Sequence, residues 1–327
     1  MAKDNKIRKI QNVFAGIAKN VSKKKWKCIV EECTEDAINS HLLMQNGILN
    51  SVAEEGHLVE LRPKAIEALK KEVLPYEFCK VGITQAISFP LFCNLHDTIL
   101  FKEIECGCAD YTKYRHLALY SYRSICAEIR RKDIEIEKMV RELSSEILNK
   151  ELSDDWNETR KFQKQMMEKG RDELCFYRDE LIKDISEGTE NYEFVSVQLP
   201  VTGIYVSTPS SLFSTEDETM TKSILNMFIF HLIPNEEFSW LVMGYHKNYV
   251  NNEVLRYIEK WKKVTKNKQG NMLTGMLLQA ETWGLKPSLF NKIPQEHIRQ
   301  FYMHYEDNCN SLNQYPIEDF NLFEGIF

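Results

Sequence analysis

Residues 92–101 read FCNLHDTILF, and this stretch decides the N-terminal fold. Cys93 and His96 stand three positions apart at the start of a predicted helix, so their side chains share one helical face. Sixty residues earlier, Cys28 and Cys33 form a second close pair. A tetrahedral zinc ion takes four soft or borderline ligands, and short spacings let a tight turn present two of them together. The two pairs therefore predict a structural zinc site.

The remaining cysteines leave alternatives open. The chain has nine cysteines, an odd number, and no stretch reads as an export signal, which favours a reducing cytoplasm over a disulfide scaffold. Cys106 and Cys108 follow the predicted helix closely enough for either to replace one of the four ligands. Alternatively, the cysteines are buried free thiols, since Cys often behaves as a small hydrophobic side chain.

Charge is distributed unevenly along the 327 residues. The first 27 carry nine Lys or Arg against one acid, a charge of +8, whereas the whole chain has −6. Lys23, Lys24, Lys25 and Lys27 surround Trp26 immediately before the predicted zinc module. Lysines contact phosphates and an aromatic ring stacks on bases, so this run predicts a nucleic-acid partner, DNA more than RNA. An acidic protein partner is the alternative, and the other 300 residues can themselves hold the arm.

Composition divides the chain into four regions: a basic arm (1–27), a zinc module (28–108), an antiparallel helical hairpin (110–187) and a C-terminal α/β domain (190–327). We therefore expect an α+β protein. Apolar positions at 4-3-4 spacing predict the hairpin, which serves as a spacer, a dimerisation element or an arm along a ligand.

No stretch is long and apolar enough to span a membrane, so we expect a cytoplasmic protein.

Several elements are predicted within these regions. Helices are expected over residues 5–20, 63–73, 252–264, 272–282 and 294–305. Strands are expected over residues 57–61, 78–84, 194–198, 203–207, 227–233 and 239–245. The C-terminal histidines follow no ligand or triad spacing; they are His231, His246, His297 and His304.

One further histidine completes a family pattern. His41 lies between the two ligand pairs, and Asp97 follows the last ligand. With these residues, segment 28–102 resembles the HNH, or ββα-metal, endonucleases, whose fold is a treble clef. The resemblance implies that the four predicted ligands hold a structural zinc ion, that His41 activates water, and that Asp97 helps hold a catalytic Mg²⁺ or Mn²⁺. The segment is also similar to zinc modules of bacterial proteins, some of them linked to phage defence.

The segment departs from the family pattern at several points. Ser40 takes the place of the usual acid before His41, His96 stands where the family has Cys, and the insertion over 47–90 is long. His41 can instead be a zinc ligand or a helix cap in a purely structural finger. We expect an HNH-type endonuclease, an anti-phage effector controlled by its C-terminal domain. A non-enzymatic zinc protein of assembly, sensing or nucleic-acid binding is the alternative.

Overall fold

A computed structural model describes residues 2–64, 76–107, 109–201 and 203–326. Helices and one large sheet make up this part of the chain, so the predicted mixed α+β class is confirmed. The helix predicted over 63–73 lies outside these residues except at its first two positions, of which Pro63 ends a strand. Among the helices of the described ranges, none is long and apolar enough to cross a membrane.

The basic arm begins with one long helix. α1 spans Ala2–Ser22 and includes all of the helix predicted there. The Phe14 ring lies 6.1 Å from the Trp156 ring, edge to face. Lys9 donates to Glu151 at 3.0 Å. Through these apolar and charged contacts, the arm docks on the body of the protein.

A small two-stranded sheet and a helix follow the arm. β1 (Asn39–His41) pairs antiparallel with β4 (Ser88–Pro90), which places His41 opposite Ser88. α3 (Asn94–Glu105) begins four residues after β4 ends. The insertion between the two strands contains α2 (Asn50–Val52), β2 (His57–Pro63), β3 (Tyr76–Gly82) and the 3₁₀ helix Ile83–Gln85.

The insertion joins the main sheet. The C-terminal strands are β5 (Tyr192–Leu199), β6 (Ile204–Ser210), β7 (Phe228–Pro234), β8 (Ser239–His246) and β9 (Trp283–Leu285). With β2 and β3 they form one antiparallel sheet in the order β3-β2-β9-β6-β7-β8-β5. The junction is the pairing of β2 with β9, where Glu60 lies opposite Gly284. The predicted division between residues 28–108 and 190–327 therefore does not separate two sheets.

The helical hairpin consists of α4 (Tyr114–Leu143), the short α5 (Glu146–Glu151) and α6 (Asp154–Glu187). At one end the Tyr114 hydroxyl donates to Asp184. At the other end Arg160 donates to Glu142 at 2.6 Å. These two contacts show that α4 and α6 run antiparallel, as the spacing predicted.

The first half of α4 is a core helix. Every residue from 116 to 130 is buried, because the sheet packs on one side of α4 and α6 on another. Near the hairpin tip the predicted seam consists of Ile136, Val140, Leu143 and Ile147, and only part of it is buried. Ile136 is buried as predicted, whereas Val140 and Ile147 are 41% and 39% exposed and Met139, which lies off the seam, is buried. The proximal half of the hairpin is thus an internal layer of the fold and not a free spacer.

The C-terminal helices cover the opposite face of the sheet. They are α8 (Asn252–Lys262), α9 (Lys266–Leu278), α10 (Pro287–Phe290) and α11 (Gln295–Asn310). The short α7 (Glu216–Thr221) contacts α6 instead, where Lys169 donates to Thr219 O. Alternating residues of β6 separate two cores: Tyr205 packs with the hairpin and zinc segment, and Ile204 packs with α8, α9 and α11. The helix predicted over 272–282 ends at Leu278, and the strand β9 follows it.

Candidate metal centre

Four side chains converge beside the two-stranded sheet. Cys28, Cys33, Cys93 and His96 each offer one ligand atom, and these atoms all lie within 4.8 Å of one another. His96 Nδ1 lies 3.4 Å from Cys28 Sγ and 3.3 Å from Cys93 Sγ. Cys33 Sγ lies 3.9 Å from Cys93 Sγ. Tetrahedral zinc bond lengths require S–N and S–S separations of about 3.6 and 3.8 Å, so this group can hold a metal ion such as zinc.

Local backbone structure presents the two pairs. In the first pair, the turn is closed by a hydrogen bond from Cys33 N to Val30 O at 3.1 Å, with Glu32 at a positive φ of 61°. Cys93 is the N-cap residue of α3, and His96 lies in the first turn of that helix. Strand β4 leads directly into this helix start, and Ile29 N donates to Leu91 O at 2.8 Å, which holds the turn against it.

The two buried thiols differ in acidity. Burial raises the pKa of the Cys28 thiol to about 11. A hydrogen bond from the His96 backbone N–H lowers the pKa of Cys93, since the start of a helix favours negative charge. Zinc binds thiolates and releases protons from thiols. Of these two thiols Cys93 therefore ionises more readily, and displacing the proton of Cys28 costs a metal ion more.

The alternative ligands considered from the sequence do not belong to this group of four. Cys106 Sγ lies 3.5 Å from Glu103 O and does not belong to the group. Cys108 lies outside the described residues. His41 is not among the side chains whose ligand atoms converge. Its Nε2 lies 3.1 Å from Ile83 O. The alternative in which His41 completes the zinc shell is therefore wrong for this structure.

The hydrogen bond of His41 fixes its tautomer. A carbonyl oxygen only accepts, so Nε2 must carry the ring proton and donate it to Ile83. In the neutral ring the lone pair is then on Nδ1, which hydrogen-bonds to none of the described residues. The side chain is partly exposed. His41 therefore presents a nitrogen with a lone pair at the end of β1.

Asp97 lies on the first turn of α3, near His41 but mostly buried. Its Oδ1 is 3.6 Å from Arg123 Nη2, and among the described residues it has no hydrogen-bond partner. Burial raises the pKa of Asp97, while Arg123, the Ser40 hydroxyl and His41 act in the opposite direction. Arg123 is 1% exposed and also donates to Glu105 at 2.7 Å. A guanidinium this close competes with a divalent cation for the carboxylate.

The basic run is largely paired with acids of the same chain. Lys24 donates to Glu137 and Lys27 to Asp36, both at 2.8 Å. Asp36 also pairs with Lys25 at 3.8 Å. These contacts agree with the alternative in which the body of the protein holds the arm.

Two cationic side chains lie close to the Trp26 ring. Lys24 Nζ lies 4.3 Å and the Arg130 guanidinium 4.9 Å from its ring centroid. The ring thus packs on the protein, although it also lines a cavity of about 600 Å³ between α1, β1 and α4. Lys23 lies beside it in the run and is exposed.

Sequence reasoning missed Arg123. The only signal was a charged residue inside a stretch of α4 that turned out to be buried on all sides. Without the fold, an arginine on a long charged helix looks like a surface residue. No protein-family model, curated protein or solved structure matches this chain.

Proposed function

We propose that the protein is a metal-dependent endonuclease of HNH type, acting on nucleic acid, DNA more than RNA. The observation that carries the proposal is His41, whose ring is oriented by a backbone carbonyl and leaves Nδ1 free. His41 ends β1, which pairs with β4, and α3 follows with the metal group at its start. This strand–strand–helix order supports the treble-clef interpretation of residues 28–108 and the assignment of the four ligands to structural zinc.

In the proposed reaction His41 is the general base. Nδ1 accepts a proton from water as the water oxygen bonds to phosphorus and the bond from phosphorus to the leaving sugar oxygen breaks. A bound Mg²⁺ or Mn²⁺ would stabilise negative charge on the phosphate. Asp97 is the residue that would hold this ion, since its Oδ1 has no hydrogen-bond partner among the described residues. Arg123 opposes this role through its charge, so a divalent ion at Asp97 would compete with the guanidinium 3.6 Å away.

The basic run supports a polyanionic substrate, although Lys24 and Lys25 also pair with Glu137 and Asp36. Lys24, Lys25 and Trp26 line the cavity of about 600 Å³, together with Asn39 and Pro90 of the two-stranded sheet. A strand that contacts the lysines would therefore reach the sheet two residues from His41. Control by the C-terminal half, a cytoplasmic site of action and a role in phage defence are further parts of the proposal.

The test is cleavage of plasmid DNA and of RNA by the full-length, zinc-loaded chain, with Mg²⁺ or Mn²⁺ supplied. His41→Ala should lower the rate at least about 100-fold, as expected for loss of a general base. The matched control is His57→Ala, because His57 Nδ1 also bonds to a backbone carbonyl, that of Glu55 at 2.7 Å. Zinc content is measured in each preparation. Equal rates for wild type and His41→Ala would remove His41 as the base, and failure of the wild type to cleave would refute the nuclease.

The Asp97–Arg123 pairing favours one second candidate, a non-enzymatic zinc protein that binds nucleic acid or assembles with other copies. In that case Asp97 serves only to neutralise a buried guanidinium. Zinc binding and nucleic-acid affinity would then be unchanged in His41→Ala, and no preparation would cleave. The same experiment therefore separates the two functions.

A further inference from the structure

One short segment holds His41 in place. Ile83 O accepts the ring proton at 3.1 Å, and Ile87 O accepts Leu42 N at 3.0 Å. Ser88, the next residue, lies opposite His41 in the two-stranded sheet. Segment 83–88 therefore fixes both the ring and the backbone of His41.

Two side chains of β2 hold this segment in turn. Ile87 N donates to Glu60 Oε1 at 2.8 Å, and Arg62 Nη2 donates to Gln85 O at 2.7 Å. Arg62 also donates to Glu60 Oε2 from Nη2 and Nε, at 2.7 and 3.1 Å. Ile87 has a positive φ of 31°, which is rare for a β-branched residue. The bond from Glu60 thus helps to stabilise a backbone conformation that the residue does not prefer.

The main sheet completes the connection. Tyr205 on β6 donates to Glu60 Oε1 at 2.9 Å. Gly284 on β9 lies opposite both residues in the strand register, so Tyr205 reaches Glu60 across a strand that has no side chain there. Glu60 is 4% exposed and Tyr205 is fully buried. Neither can touch a substrate.

We infer that Glu60 and Tyr205 are positioning residues for His41. Tyr205 and Arg62 fix the Glu60 carboxylate, and Glu60 fixes segment 83–88. The Ile83 carbonyl of that segment selects the His41 tautomer with the proton on Nε2. The effect of this positioning on cleavage rests on the proposed function, whereas its effect on the His41 tautomer does not. The strands inserted between β1 and β4 thereby link the C-terminal sheet to the general base.

The test is histidine ¹⁵N NMR on the full-length, zinc-loaded chain. Spectra of the wild type should show His41 with its proton on Nε2. In Tyr205→Phe and Glu60→Gln, the His41 signals should move toward the average of two tautomers, and the Ile87 amide signal should shift. Tyr192→Phe is the matched control. Tyr192 lies on the edge strand β5 and is buried like Tyr205, and its hydroxyl donates to the backbone carbonyl of Tyr177 at 3.0 Å.

Cleavage kinetics provide the second measurement. Because a displaced base slows only the chemical step, kcat should fall about tenfold in Tyr205→Phe with KM unchanged. Tyr192→Phe should keep the wild-type kcat, although its loss of thermal stability should be comparable to that of Tyr205→Phe. An unchanged His41 tautomer in both Tyr205→Phe and Glu60→Gln would overturn the inference even if the wild type is a nuclease. A tautomer change without any cleavage by the wild type would uphold the positioning and refute the proposed function.

Discussion

Glu60 and Tyr205 lie on strands that do not pair with each other, yet the Tyr205 hydroxyl donates to the Glu60 carboxylate at 2.9 Å. The strand between them carries Gly284 at this register. A Cβ atom there would lie 2.2 Å from Tyr205 Oη and 2.7 Å from Val59 O. The absence of a side chain at Gly284 is therefore what allows the two groups to meet.

We expect Gly284→Ala to destabilise the fold by about 1 to 3 kcal/mol, because the new methyl group overlaps a buried hydroxyl and a backbone oxygen. Gly82→Ala is the matched control, since Gly82 ends β3 with an ordinary φ of −68° and no atom within 4 Å of its added Cβ. Urea denaturation measures both free energies of unfolding. Equal effects of the two substitutions would contradict the close approach at Gly284.

Replacing a metal ligand should abolish zinc binding and lower stability. The wild type should contain about one zinc ion per chain, and Cys28→Ser should lose it, because three ligands hold a structural zinc ion poorly. Cys175→Ser is the control, since Cys175 is a free cysteine outside the ligand group. Zinc is measured by elemental analysis, and the thermal midpoint is measured with and without a chelator. A chelator that leaves the wild-type midpoint unchanged would argue against a structural ion.

Removing an internal acid should strengthen nucleic-acid binding. Asp36 pairs with Lys27 at 2.8 Å and with Lys25 at 3.8 Å, so Asp36→Asn frees two lysines for phosphates. We expect tighter binding to duplex DNA and a salt dependence steeper by up to about two phosphate contacts. Glu151→Gln, which releases Lys9 at the far end of the arm, is the control. Affinities for DNA are measured by fluorescence anisotropy at several salt concentrations. If only Glu151→Gln tightened binding, the contact with phosphates would lie elsewhere on the arm.

His231 should make the fold less stable in mild acid. Its ring lies between Ser121 Oγ at 3.2 Å and Ser207 Oγ at 2.9 Å, with the Tyr120 ring centroid 6.2 Å away and no charged partner in the described part of the chain. Burial lowers the pKa of His231 to about 3, whereas the unfolded chain has the ordinary value near 6.5. As pH falls below about 6.5, the unfolded chain binds a proton that the folded chain excludes. Stability should therefore fall by up to about 1.4 kcal/mol per pH unit until the pH reaches the folded pKa.

The measurement compares wild type with His231→Gln by urea denaturation between pH 7.5 and 5. The difference between the two free energies of unfolding at each pH removes the contribution of all the other titrating groups, which both proteins share. The stability advantage of the wild type at pH 7.5 should shrink as the pH falls. A constant difference across this range would show that His231 is not held neutral in the core.

The sequence alone was sufficient to predict the features that depend on short spacings between residues. A pair of ligands in one turn, a helical stripe or a strand of alternating residues is specified within a few positions, and the metal group and most of the elements were predicted correctly on that basis. His41 was also singled out by its place between the ligand pairs. What it contacts could not be read from the sequence, since Ile83 lies 42 positions away.

Tertiary structure alone decided the pairings between distant segments. Strand pairing is made by backbone groups that, proline apart, are the same in every residue. Nothing in the inserted strands therefore indicated that β2 would pair with β9. The same holds for Arg123, whose burial depends on layers that come from elsewhere in the chain. The ligands of the metal group follow from local chemistry. The connection of His41 to the sheet through Glu60 and Tyr205 exists only because three distant strands meet in one register.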